Sequence, residues 1–246
     1  MSISTNSIIH YTNSLDNLIG ILQEGFRIKY CSERLNLGKS RYSSAAHPMV
    51  SFCDIPLSSS IQHFKAYGKY GIGLSKKWAF ENGINPVLYI DENSLFAENL
   101  FELIKERRKT ITNLTSKQQK EILRIKSYAK NYSGSFTRNE VVYQDYKYYD
   151  EREWRIVPDQ IVLQGASFSI SSSAYKSDKE KYNSRISNIR LKFDAKDISY
   201  IIVERTDEIP DIIKIVRNCF GKRCTSEQLD ILFSKICSTE QIIADY

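Results

Sequence analysis

A paired acidic motif lies past the middle of the chain, within Tyr149-Asp150-Glu151-Arg152-Glu153-Trp154-Arg155. Alternate residues of a β-strand point to the same face, so a strand here predicts Glu151 and Glu153 together on one face. Two carboxylates so close repel each other unless a cation or a function holds them there. The pattern fits a solvated, charge-dense edge strand. It also fits a carboxylate that stabilises a cationic transition state such as an oxocarbenium ion.

Two further groups of residues could take part in ligand binding. His10 ends a short apolar strand and is followed by Tyr11-Thr12, although a lone histidine in such a place is more often structural. The segment Phe64-Lys65-Ala66-Tyr67-Gly68-Lys69-Tyr70-Gly71 sets aromatic residues beside glycines. Such aromatics could stack on a flat ring, and core packing explains them equally well.

Several classes of site and location find no support in the sequence. It has no G-x-x-x-x-G-K-[ST] loop, no G-x-G-x-x-G fingerprint and no G-x-S-x-G elbow. His47, His63, Cys31 and Cys53 lack the spacing of zinc ligands, so no metal site is predicted. The five cysteines form no C-x-x-C pair, and there is no long apolar run or signal-type N-terminus. We therefore expect a cytoplasmic protein without a membrane span.

Periodicity and capping residues define the elements that would position these side chains. The predicted strands are residues 7–11, 49–55, 70–75, 86–90, 153–157, 160–163, 166–170, 189–193 and 199–204. The predicted helices are residues 14–25, 57–67, 76–82, 208–219 and 227–237, with two more in 95–130. Residues 29–48 and 171–188 are predicted to be loops, and Gln164-Gly165 a tight turn. Because strands outnumber helices and do not alternate with them, an α+β fold is favoured over a doubly wound sheet.

The net charge is concentrated in one segment. The 246 residues carry 35 basic and 29 acidic side chains, a net charge of +6. Residues 98–132 hold nine of the basic and four of the acidic side chains, so 95–132 is predicted to be a basic helical insertion. Its basic face is either solvated or a contact surface for nucleic acid or an acidic partner. The candidate contact residues are Arg107, Arg108, Lys109, Lys117, Lys120 and Arg124.

The order of these motifs carries more information than each motif alone. Ile9-His10-Tyr11-Thr12, followed by the helix 17–26, resembles the opening of DarT-type ADP-ribosyltransferases, where a His-x-Thr strand end precedes such a helix. Glu153-Trp154-Arg155-Ile156-Val157-Pro158 resembles their later strand, which begins with the catalytic Glu. Residues 198–203 resemble their last strand.

A longer resemblance covers most of the chain. The blocks 10–26, 48–58, 67–75 and 148–158 resemble the AbiGi family of bacterial abortive-infection proteins, which are usually labelled antitoxins. This resemblance implies phage defence and a toxin partner. The DarT-like order implies an ADP-ribosyltransferase-like split β-sheet core with flanking helices. Together they predict one domain over residues 1–246, with 95–132 as its helical insertion.

The DarT-like order also implies NAD as the substrate. His10, with Thr12, would hydrogen-bond the adenosine-side ribose. Tyr67 or Tyr70 would stack on the nicotinamide, and the sequence does not choose between them or exclude Phe64.

The same resemblance gives the two glutamates catalytic roles. Glu153 would bind the nicotinamide ribose and stabilise the oxocarbenium ion, and Glu151 would orient or deprotonate the acceptor. His10 stands in place of the Arg that usually accompanies a Glu-x-Glu pair, so the pattern is mixed. A second hypothesis is a non-catalytic antitoxin or regulator that keeps the fold and binds a toxin or nucleic acid. RNA 2′-phosphotransferase-like chemistry shares the fold class, but no Arg cluster for a phosphate is visible in the sequence.

Overall fold

The computed structural model describes residues 5–138 and 141–245. Within them the helices are α1 (Leu15–Glu24), α2 (Ile61–Tyr67), α3 (Lys76–Glu81), α4 (Leu95–Arg108), α5 (Ser116–Ser127), α6 (Ser172–Ser177), α7 (Lys179–Ser184), α8 (Ile209–Phe220), α9 (Ser226–Phe233) and α10 (Thr239–Asp245). The strands are β1 (Ser7–Thr12), β2 (Phe26–Arg27), β3 (Lys29–Asn36), β4 (Tyr42–Cys53), β5 (Tyr70–Ser75), β6 (Asn85–Pro86), β7 (Leu88–Ile90), β8 (Ala129–Asn131), β9 (Gly134–Arg138), β10 (Val141–Tyr146), β11 (Glu153–Ile156), β12 (Ile170–Ser171), β13 (Arg190–Leu191), β14 (Ile198–Val203) and β15 (Ile236–Ser238). The fold therefore mixes helices with sheets that contain both antiparallel and parallel pairs.

The chain divides into two compact units. The first comprises Met1–Arg27, Ser51–Asn85 and Arg190–Tyr246, and the second comprises Ile28–Val50 and Pro86–Ile189. Helices α4 and α5, which form the predicted insertion, lie within the second unit. The ADP-ribosyltransferase-like core stays a prediction.

In the first unit, β14, β5 and β1 lie side by side in antiparallel pairs, and β15 runs parallel to β14. Gly73 lies opposite Tyr200, and a Cβ atom at Gly73 would stand 2.8 Å from the Tyr200 ring. Gly73 therefore leaves room for the Tyr200 ring, which a larger residue would displace. Ile9, Phe64 and Ile202 are among the buried residues of the core.

Helix α1 is bounded as its sequence predicts. The Ser14 hydroxyl accepts a hydrogen bond from the Asn17 backbone N–H at 3.3 Å, which caps the first turn. Gly25 ends the helix with φ of 84° and lies against the Leu191 carbonyl, where a Cβ atom would clash at 2.6 Å. This helix directly follows the strand end that carries His10 and Thr12.

The second unit contains an antiparallel hairpin of β3 and β4, whose register pairs Lys29 with Met49 and Asn36 with Tyr42. The prediction of a loop over 29–48 is wrong. The segment reads as a loop because its residues are mostly polar, yet Tyr30 and Leu35 are buried and the backbone groups pair across the hairpin. Ser43 and His47 are also buried polar residues of β4, so the apolar alternation typical of strands is absent.

Helices α4 and α5 are confirmed within 95–130. Thr115 caps α5, and its side chain and that of Gln118 form a capping box. Ile104 and Ile122 pack with Leu35 of β3 in a buried apolar cluster. The apolar face of each helix therefore covers the hairpin.

Three predictions in the second half of the chain are corrected. Residues 171–188 contain α6 and α7, capped by Ser171 and Asp178, where a loop was expected. Each helix has six residues, which is too short to show helical periodicity in sequence. The helix predicted over 227–237 ends at Phe233 and is followed by β15 and α10. The turn at Gln164-Gly165 is confirmed by its positive φ angles of 49° and 89°. The strands expected beside it, 160–163 and 166–170, are wrong, because of these residues only Ile170 lies in a strand, β12.

Candidate active site

The paired glutamates lie where a short 3-10 helix meets β11. The 3-10 helix, Tyr148–Glu151, ends at Glu151, and Arg152 follows in the left-handed region with φ of 45°. Strand β11 begins only at Glu153. The prediction that one strand places Glu151 and Glu153 on a common face is therefore wrong, because Arg152 turns the chain between them.

Both carboxylates nevertheless reach the same cation. The Lys130 ammonium donates a hydrogen bond to Glu153 Oε2 at 2.8 Å and a second one to Glu151 Oε2. Lys130 lies on β8, which pairs in parallel with β7. The repulsion expected between the two carboxylates is thus relieved by one shared positive charge.

Arg155 holds Glu153 from the other side. Its Nε donates to Glu153 Oε1 at 2.5 Å and its Nη2 donates to Glu153 Oε2 at 2.9 Å, a bidentate pair. Nη2 also lies 3.2 Å from Glu33, and Nη1 donates to the Ser127 carbonyl at 3.0 Å. The Glu153 backbone N–H donates to the Tyr89 hydroxyl at 2.7 Å. Side chain and backbone of Glu153 are therefore both fixed.

The burial of this cluster sets its charge states. Glu151, Glu153 and Arg155 are at most 6% exposed. Burial alone would raise the pKa of Glu153, but the charges of Arg155 and Lys130 and their hydrogen bonds hold that pKa well below its ordinary value. Burial opposes the charge of Lys130, but Glu153 and Glu151 raise its pKa. Glu153 is therefore ionised at neutral pH and suited to electrostatic stabilisation, not to proton transfer near pH 7.

A cleft of about 470 Å³ adjoins the cluster. Lys130 and Glu33 line it together with small polar side chains such as Ser32 and Asn131, and neither Glu151 nor Glu153 is in its lining. Three carboxylates and two cations make up the ion-paired group of Glu33, Glu151, Glu153, Lys130 and Arg155. The cluster therefore carries a net negative charge beside a polar cavity.

The histidine and threonine predicted to bind ribose lie on β1 in the first unit. His10 Nδ1 donates to the Ser51 carbonyl at 2.8 Å, and the ring meets Phe26 and Phe52 edge-on at centroid distances of 5.3 and 5.8 Å. Thr12 is 8% exposed and lies opposite Tyr70 in the β1–β5 pair.

The two candidate stacking tyrosines have different environments. Tyr70 is 7% exposed, and its hydroxyl donates to Glu208 at 2.9 Å. Burial and the Glu208 carboxylate raise the pKa of Tyr70 to about 12. Tyr67 is half-buried at the end of α2 and stacks on His63 at 5.8 Å. Tyr70 therefore serves the core, and Tyr67 keeps more of its ring surface accessible.

The predicted site residues belong to both units. His10, Thr12, Tyr67 and Tyr70 lie in the first, and Glu151 and Glu153 lie in the second. Shared contacts join the two glutamates at Lys130, and strand register joins Thr12 to Tyr70. The roles of these residues stay predictions.

Half of the predicted basic contact residues have acidic partners in the described chain. Lys109, Lys117 and Arg124 form ion pairs with Glu106, Glu121 and Asp159 respectively. Arg124 also donates to the Val157 carbonyl at 2.5 Å. Exposed ion pairs contribute little and exchange readily with other anions, so these pairs leave the contact hypothesis open.

Sequence reasoning missed the two cations of the cluster. Arg155 could have been found, because it follows Glu153 by two positions and so shares its strand face. Lys130 and Glu33 are 23 and 122 residues from their partners in the cluster, and no local pattern connects them.

Two classes of feature are absent from the part of the chain that the structure describes. No group of three or more His, Cys, Asp or Glu side chains is arranged to hold a metal ion. None of the helices there combines the length and apolar character needed to cross a bilayer.

Comparison with known proteins places the chain in a family. Residues 24–204 match the family described as "Putative abortive phage resistance protein AbiGi, antitoxin". The chain is also 28% identical over 222 residues to the abortive phage resistance protein AbiGi of Lactococcus lactis subsp. cremoris, a match that covers 81% of this chain and 88% of the relative. The chain therefore belongs to the AbiGi family of abortive phage resistance proteins. No solved structure matches it.

Proposed function

We propose that this AbiGi-family protein is an NAD-dependent ADP-ribosyltransferase that acts in phage defence. The observation that carries the proposal is the Glu153 cluster, which is ionised, rigidly held and net negative beside a polar cleft. Loss of nicotinamide from NAD develops positive charge on the ribose. A fixed negative group next to that ribose lowers the barrier because it needs no reorganisation during the reaction.

The bond changes define the roles of the two glutamates. The bond between the ribose C1′ and the nicotinamide nitrogen breaks, and nicotinamide leaves with the electron pair. Glu153 accepts a hydrogen bond from the nicotinamide ribose and stabilises the oxocarbenium ion. A nucleophilic oxygen or nitrogen of the acceptor then bonds to C1′, and its proton passes to Glu151 or to water.

The remaining roles follow from the DarT resemblance. His10 and Thr12 bind the adenosine-side ribose. Tyr67 stacks on the nicotinamide in preference to Tyr70, because Tyr70 is buried and bonded to Glu208. The acceptor is a nucleic acid or a protein, and the basic side chains of α4 and α5 are proposed to contact it.

Incubation with labelled NAD tests the proposal. Purified protein is incubated with labelled NAD and with one acceptor at a time, namely DNA, RNA or cell lysate. Both transferred label and released nicotinamide are measured. Tyr67→Ala should weaken NAD binding, whereas Tyr42→Ala, at another partly exposed tyrosine of the described chain, should not. Absence of transfer, nicotinamide release and NAD binding together would overturn the proposal.

A second candidate function is a non-catalytic antitoxin that binds a toxin partner. The observation that favours it is the internal pairing of Glu153, whose carboxylate already accepts three hydrogen bonds from Arg155 and Lys130. The family description as an antitoxin agrees with it. In a phage-infection assay this candidate predicts that Glu153→Gln protects cells as well as the wild type does. Loss of protection at an unchanged melting temperature contradicts it.

A further inference from the structure

Three basic side chains of the second unit lie close enough for their charges to act on one another. Arg107 and Arg108 end α4, and Lys126 lies in the last turn of α5. Arg108 Nη2 donates to the Ser43 hydroxyl at 2.9 Å. Because Ser43 is 1% exposed on β4, this bond anchors the Arg108 guanidinium at the hairpin.

The burial of Lys126 is the unusual feature of this group. The residue is 6% exposed, whereas lysines are almost never fully buried without a partner. Among the described residues, no carboxylate lies within ion-pair distance of Lys126 or Arg107. Glu33 acts on Lys126 from further away and is already bound to Arg155 at 3.2 Å.

The lowered pKa values of Lys126 and Arg107 show that their charged forms are disfavoured here. Burial, together with the charges of Arg108 and Arg107, lowers the pKa of Lys126 to about 8. Burial and the Arg108 charge also lower the pKa of Arg107. Positive charges that lie close together and partly buried, without carboxylate partners, create a positive local potential that favours anion binding.

A buried histidine on the same strand as Ser43 also has a hydrogen-bonding atom that is unused in the described part of the chain. His47 is 1% exposed and shares a face of β4 with Ser43, four positions away. Its Nδ1 donates to the Phe168 carbonyl at 3.2 Å, and its buried Nε2 has no hydrogen-bond partner within residues 5–138 and 141–245. Burial and the charges of Lys126, Arg155 and Arg107 keep the ring neutral by lowering its pKa to about 3. Nε2 is thus a buried acceptor whose hydrogen-bonding capacity is unused among the described residues.

We propose that Arg107, Arg108 and Lys126 form a phosphate-binding site. Two guanidinium groups and an ammonium offer several N–H donors to phosphate oxygens, in charge-assisted hydrogen bonds. The phosphate belongs to a free nucleotide or to a nucleic-acid backbone, since both present negatively charged phosphate oxygens. The inference narrows the proposed acceptor contact to three residues, and it stands whether or not Glu153 is catalytic.

The test compares two double variants that remove the same charge. Arg107→Gln with Arg108→Gln removes the site, and Lys117→Gln with Lys120→Gln removes two exposed lysines of α5. Inorganic phosphate should raise the melting temperature of the wild type and of the lysine variant, but not of the arginine variant. Without phosphate the arginine variant should melt no lower than the wild type, because it relieves repulsion.

Labelled single-stranded RNA and DNA oligonucleotides separate the two sources of phosphate. If the source is a nucleic acid, the arginine variant should bind about tenfold or more weakly, with a shallower salt dependence. If oligonucleotides do not bind while inorganic phosphate does, the source is a free nucleotide. The site would be overturned if phosphate raised the melting temperature of the wild type and the arginine variant equally. It would also be overturned if the lysine variant lost as much phosphate response or oligonucleotide binding as the arginine variant. NAD turnover is measured separately, so failure of either proposal is recognised.

Discussion

Two charged clusters of the second unit solve the problem of burial in opposite ways. Around Glu153, each buried charge has a partner, and the ion pairs shift the pKa values of Glu153 and Lys130 toward their charged forms. Around Lys126, positive charges meet without carboxylates, and the pKa of Lys126 is lowered to about 8. The charges of the first cluster are paired within the protein, whereas we propose that a phosphate pairs with those of the second. Burial of charge therefore stabilises the fold where the charges are paired and destabilises it where they are not.

The largest expected change in stability comes from breaking the ion pairs around Glu153. Arg155→Met removes the bidentate partner of Glu153 and leaves a buried carboxylate with only Lys130. We expect a loss of about 3–5 kcal/mol in the free energy of unfolding, measured by urea denaturation. Arg223→Met is the matched control, because its ion pair with Asp194 is exposed. If the two variants lose similar stability, the Glu153 cluster is not matched as described.

Removing a charge from the cluster of Arg107, Arg108 and Lys126 should raise the free energy of unfolding instead of lowering it. Lys126→Met keeps an unbranched side chain and removes an unpaired buried charge. The folded pKa of Lys126 lies below its unfolded value, so the residue destabilises the fold below about pH 8, and this penalty fades as the pH rises toward 10.5. We expect Lys126→Met to gain about 1–3 kcal/mol at pH 7 and to lose that advantage by pH 10. A destabilised variant at pH 7 would show that Lys126 has a partner.

The ion pairs of Glu153 should also make the stability of the protein depend on pH in the acid range. The folded pKa of Glu153 lies below its unfolded value, so its ion pairs stabilise the fold fully above about pH 4.5 and progressively less as the pH falls below it. Between pH 5 and pH 3 the wild type should lose about 1–2 kcal/mol more stability than Glu153→Gln does. Parallel pH profiles for the two proteins would show that Glu153 is not the titrating group.

The smallest effect is expected on the exposed face of α5. Lys117 has 86% of its side chain exposed and pairs with Glu121 at 3.8 Å. Lys117→Met should change the free energy of unfolding by no more than about 0.5 kcal/mol. A change as large as that of Lys126→Met would mean that burial does not distinguish the two lysines.

Local signals explain which parts of the structure could be predicted. Helix α1 carries its own cap at Ser14 and its own stop at Gly25, and α5 carries its capping box, so both were predicted. Strand β3 was missed because its stability comes from pairing with β4, and its polar side chains conceal that pairing. The same limit applies to the site. The Glu-x-Glu spacing was visible, but the positive φ of Arg152 and the distant partners Lys130 and Glu33 arise only when the chain folds.

Under the proposed function, the position of the Glu153 carboxylate matters for chemistry and not only for ion pairing. Glu153→Asp keeps the negative charge and withdraws it by one methylene, so much of the ion pairing survives. Nicotinamide release from NAD, measured beside the melting temperature, tests the claim directly. Release by Glu153→Asp should fall about 100-fold, while its melting temperature should stay within about 5 °C of the wild type. Equal release by the two proteins, or none by the wild type, would contradict it.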